Sequence, residues 1–154
     1  MTILESICTN VAELLTSVEV IDECNRQPVT EQAAFMTTFA AFIEWVVLQT
    51  CRPLFSSDDY KLIANEIQKE FASQRWFSAD LYGKIAPVAR FRLDHMSPGK
   101  HTGALLPMVH AIEGVNAIGH DIQHSTDARF VMYTLAAWKF MAEQIPKLCA
   151  KEPE

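Results

Sequence analysis

No stretch of this chain reaches the ~18 consecutive apolar residues of a membrane span. The nearest, AAFMTTFAAFIEWVVL over 33–48, is interrupted by threonines and by Glu44. The N-terminus, MTILESICTN, has no basic stretch and carries Glu5 inside its apolar run, which argues against a secretory signal. The four cysteines (Cys8, Cys24, Cys51, Cys149) form no CxxC pair and no regular spacing, which excludes a zinc ribbon and a disulfide scaffold. Together these absences predict a soluble cytoplasmic protein with reduced thiols and no membrane segment.

Positive charge is also in short supply. Thirteen Lys and Arg face nineteen Asp and Glu, a net charge of −6 that argues against nucleic acid as a partner. The distribution is uneven: residues 1–31 carry −5, whereas residues 81–101 carry +3. No strand-like alternation, internal repeat or low-complexity linker occurs. Catalytic signatures are missing as well, with no GxSxG and no HExxH. SPGKHTG (97–103) resembles a phosphate loop only superficially, because Asp94 stands where the first glycine belongs and His101 follows the Gly-Lys pair.

What remains is helical periodicity. Hydrophobic residues make up 49% of 154 positions, enough for one packed domain spanning 1–154. Ile3, Ile7, Val11, Leu14, Val18 and Ile21 trace the inner stripe of a first helix over about 2–24, with an acidic outer face. Thr30 is placed to cap a second helix running to about Cys51, apolar nearly all round and therefore central. Ser56 to Asp59 introduce a third, about 58–74, with Leu62, Ile63, Ile67 and Phe71 inward. Residues 75–102, the basic segment, are punctuated by Gly83, Pro87 and Pro98-Gly99 and read as irregular, with Ser78 able to cap a short helix. Further helices are expected over about 104–124 and 127–145, the last with Phe130, Thr134, Trp138, Met141 and Ile145 on one face. The fold class is all-α, a single-domain bundle of five to six helices.

All five histidines (His95, His101, His110, His120, His124) lie between 95 and 124. On a continuous helix at ~100° per residue, His110, Glu113, His120 and His124 share an arc of about 80°. Imidazoles and a carboxylate on one face suit a transition metal, although His110 and His124 would stand about 21 Å apart along the axis. The other reading is the solvated back of an amphipathic helix. Gly119 then falls in the middle of the aliphatic face, where a close helix crossing would explain it. Glu44 sits among Ala33, Thr37, Ala40, Ala41, Leu48 and Cys51, so it is expected at a buried crossing, paired with an arginine or reaching water at an edge. Arg90, Arg92, Lys100 and His101 offer an anion or acidic-partner patch. Trp76-Phe77 reads as an exposed apolar pair.

The helix order resembles that of the globins: two N-terminal helices, a third at 58–74, an irregular fourth, then two long ones. In Phe91-Arg92-Leu93-Asp94-His95 the resemblance places His95 in the haem-ligand position, with Phe55 as a haem-contacting phenylalanine. No histidine stands around Ala64-Asn65, where the family carries a distal one. Two functional readings follow. The first is a non-enzymatic, regulatory module that binds a protein partner or small ligand. The second is a protein whose histidines hold a transition metal or haem, with metal-dependent chemistry.

Overall fold

In the computed structural model, which describes residues 2–95, 107–122 and 128–151, the first helix is closed by a capping box. Thr2 accepts from the Glu5 amide, and the Glu5 carboxylate accepts from the Thr2 amide. This helix, α1 (Ile3–Leu15), stops where two hydroxyls turn back on it: Thr16 Oγ1 donates to the Ala12 carbonyl at 2.9 Å and Ser17 Oγ to Leu14 at 3.0 Å. A separate helix α2 (Val18–Asn25) restarts at Ser17 with a new phase. Val18 and Ile21 therefore face outward, 69% and 45% exposed, while Val20 and Glu23 turn inward. The single helix over 2–24 with a wholly solvated acidic face is thus corrected: the chain breaks at Thr16-Ser17 and buries one of its acids.

A single 3₁₀ turn (Val29–Glu31) follows Pro28, so α3 (Gln32–Cys51) begins later than a Thr30 cap implied. α3 is the central element, packed against α1, α2 and each of the four helices that follow it. Its buried Thr37 and Thr38 hydroxyls donate to the Ala33 and Ala34 carbonyls, both at 2.7 Å, so neither hydroxyl is stranded in the core. Residues Val29–Cys51 are long and apolar enough to cross a bilayer by composition, yet 78% of the most apolar window is buried inside the fold. Apolar character on every face here serves a core shared with six other helices.

α4 (Ser57–Ala72) starts at Ser56, whose side chain accepts from the Asp59 amide, and buries Ile63, Ile67 and Phe71. Leu62 lies just off this stripe and is 49% exposed, contrary to the expected inward set. α5 (Ala79–Asp94) runs straight through the stretch read as irregular. Ser78 caps it at the Leu81 amide, and Gly83 and Pro87 both lie on its exposed side. There the carbonyl that Pro87 cannot satisfy is able to meet water. Trp76 and Phe77 are half-buried, stacked with Phe71 and Tyr82, so they form no exposed pair.

α6 (Pro107–Ala117) is shorter than the predicted helix. Gly119 adopts φ +95° in an exposed turn closed by Ile118 N–H to Val115 and Gly119 N–H to Asn116. Asn116 then accepts from the Ile122 amide at 2.8 Å and donates to its carbonyl at 3.4 Å, steering Ile122 back into the core without a helix. Gly119 is accordingly not at a tight crossing. That role belongs to Gly114, where an added Cβ would stand 2.5 Å from Arg92 Cγ and 3.1 Å from Val88 Cγ1. Gly119→Ala is expected to cost about 1–2 kcal/mol through its left-handed backbone, with no helix propensity to offset it. Unchanged denaturant unfolding would mean that this turn is not left-handed.

α7 (Ala128–Lys151) completes the seven α-helices among the described residues, and no strand is present there. Phe130, Thr134, Met141 and Ile145 are buried along one side as the spacing predicted, with Trp138 half-buried edge-on to Trp45 at 6.0 Å.

Candidate functional site

The helix break at Gly119 takes apart the predicted histidine arc. His120 lies in the turn beyond α6, with Nδ1 3.8 Å from Glu31 Oε2 on the 3₁₀ turn. That carboxylate oxygen is buried and accepts no hydrogen bond among the described residues. Glu113 is engaged elsewhere, in an ion pair with Arg92 at 3.2 Å. His124 lies outside the described residues, as do Lys100 and His101; His110 is on α6, with its side chain outside them as well. Among the described residues no three of His, Cys, Asp and Glu come together in a group able to hold a metal ion.

His95 ends α5 in an exposed position. Its Nδ1 lies 2.8 Å from the Phe91 carbonyl, and its ring stacks on Phe91 at 4.1 Å. Of the basic patch, Arg90 folds back onto the Ala86 carbonyl and Arg92 lies across Gly114 to reach Glu113. The two described arginines are thus engaged within α5 and α6.

Glu44 is buried at a crossing, as its small neighbours implied, and its partners among the described residues are a tyrosine and a glutamine in place of the expected arginine. The Tyr82 hydroxyl donates to one carboxylate oxygen at 2.5 Å, and Gln68 Nε2 donates to the other and to Tyr82 Oη, the latter at 2.8 Å. Burial, reinforced by the Glu44 charge, pushes the Tyr82 phenol far above the ordinary tyrosine range. The phenol therefore stays protonated and serves as a donor, not as a base. This three-helix polar knot, linking α3, α4 and α5, holds the fold together. The only hints of it in the sequence are an acid in an apolar helix and a tyrosine and a glutamine elsewhere, and spacing cannot pair them.

None of the four cysteines is in a disulfide, and they are spread over four positions. Burial raises the Cys51 pKa to about 12, with nearby Cys149 adding to it, and burial raises Cys8 and Cys24 too. A group that binds its proton more tightly when folded contributes stability below its unfolded pKa, and that contribution is lost as pH rises. The melting temperature should therefore fall as pH climbs from about 9, the ordinary thiol value, towards 12. Cys51→Ala should flatten this decline. An unchanged slope in the variant would show that Cys51 does not drive it.

A feature absent from the sequence reading is the cleft between α2 and the first half of α7, a groove of about 920 Å³. Phe130, Tyr133 and Met132 from α7 and Val18 from α2 supply its apolar surface. Met132 is 64% exposed, so it and Val18 present two of the largest apolar exposures of the chain to one cleft. Glu19, Asp22 and Glu23 line the α2 side. Glu23 is buried and pairs with Arg26 at 2.6 Å, while Glu19 and Asp22 are exposed. Tyr133 closes the end, its hydroxyl donating to the Leu14 carbonyl at 3.4 Å, and burial followed by the Glu19 charge raises its pKa. The groove was illegible because it exists only through the new phase of α2 beside a helix more than 100 residues later in the chain.

No family model, curated protein or solved structure matches this chain.

Proposed function

We propose that this protein is a non-enzymatic, regulatory binding module of the cytoplasm that receives a segment of a partner protein in the α2–α7 groove. The observation that carries the reading is the juxtaposition of Val18 and Met132, exposed on two different helices and lining one cleft. Apolar surface concentrated in a concave site is a mark of recognition surfaces, and methionine adapts its shape to an incoming chain. Four cysteines outside any disulfide fit a reducing compartment. The test is a displayed peptide library selected on the parent protein and counter-screened on Val18→Asp/Met132→Asp. Both positions are exposed, so the double variant should fold, and selected peptides are expected to lose it as a target. Peptides that bind both proteins equally would show that the groove is not the site.

A second reading rests on His95 and the globin-like helix order. The Phe91 carbonyl occupies Nδ1, which leaves Nε2 to act as a haem or metal ligand. A Soret band in freshly isolated protein, abolished by His95→Ala, carries that reading; a spectrum without one removes it.

A further inference from the structure

We infer that the segment received by the α2–α7 groove is a cationic amphipathic helix. This inference rests on the binding reading above and adds the chemistry of the occupant. Two observations converge on it.

The first is charge. Glu19 and Asp22 project from the exposed side of α2, and among the described residues lining the cleft the cation, Arg26, is paired with Glu23. Around them residues 1–31 carry −5. A lip of one sign beside apolar walls steers an oppositely charged partner and rejects an acidic one.

The second is shape. The apolar contacts come from Val18 on one wall and from Phe130, Met132 and Tyr133 on the other, and the acids among the described lining residues stand on the α2 side. A helix laid in such a cleft would place apolar residues at i, i+3, i+4 and i+7 against the floor. Its Lys or Arg would then lie along one flank, beside α2. An extended strand finds no partner here, because both walls are helices whose backbone hydrogen bonds are internal.

The experiment uses the full chain and four labelled peptides of equal length, read by fluorescence anisotropy. One is a Lys/Leu amphipathic helix. The second has the same composition scrambled so that no apolar face forms. The third and fourth keep the apolar face but replace lysine with glutamate or glutamine. The cationic amphipathic peptide should bind tightest. Its affinity should fall at least about tenfold when salt rises from about 50 to 500 mM, and by a similar factor in Glu19→Lys/Asp22→Lys. Circular dichroism of the charge-reversed variant, expected to match the parent, guards against unfolding. If the scrambled peptide binds equally well, the attraction is diffuse charge and the inference fails. If the glutamine peptide binds as tightly, the groove reading survives and the cationic occupant does not. Binding that is unchanged in the charge-reversed protein, or absent for all four peptides, also overturns it.

Discussion

Phe39→Ala is expected to lower stability by about 3–5 kcal/mol, a large part of the ~5–15 kcal/mol that holds a domain together. Phe39 is fully buried on α3, with its ring 6.1 Å from Phe42 and 6.2 Å from Phe130 of α7. Truncation removes the transfer free energy of the ring and opens a cavity between two helices. Neither wall can collapse easily, because α3 is clamped by helices on its other sides. Chemical denaturation would measure the loss directly. If the variant melted within a degree or two of the parent, α3 would not be the central element.

The second large effect concerns the polar knot. Tyr82→Phe removes the hydroxyl that holds one oxygen of buried Glu44 and leaves a carboxylate with a single partner, Gln68. Removing a neutral donor from a buried carboxylate typically costs about 1.5–3 kcal/mol. Glu44→Leu should cost less in relation to what it removes, since the charge that needs solvation disappears with its acceptors. The double variant Glu44→Leu/Tyr82→Phe should therefore be markedly more stable than the sum of the two losses predicts. Strict additivity in that cycle would show that the two side chains do not depend on one another.

These two sites show how differently a sequence carries its information. The importance of α3 is legible because an apolar residue on every face leaves only one place for the helix. The caps at Ser56 and Ser78 are legible because a hydroxyl before a polar first turn has a local partner three residues on. The errors arise where local chemistry competes with periodicity. The apolar stripe of the first helix continues through Val18 and Ile21 on paper, yet the backbone leaves the helix at Thr16-Ser17, where the Ser17 amide and hydroxyl both turn to the Leu14 carbonyl. The stripe through Ile118 and Ile122 also continues on paper. Gly119 can take a left-handed turn, however, and Asn116 recovers Ile122 through side-chain hydrogen bonds. In α5 the error is reversed: Gly83 and Pro87 read as breaks, but both face outward and the helix continues past them. Of the candidate site, the acidity of residues 1–31 was visible, whereas its meeting with Met132 and Tyr133 is a property of the packed chain.

The short α2 has a consequence for motion. It is eight residues long, Ser17 makes no side-chain cap, and a groove lies on either side of it: the α7 cleft and a second of about 640 Å³ lined by Ile21, Cys24 and Trp76. Such a helix belongs to the low end of the opening free-energy scale, and α3 to the high end. Backbone amides of α2 therefore exchange with deuterium well before those of α3. A partner seated against α2 lends it part of the protection that its own packing does not provide, and occupancy can be read from those few amides alone.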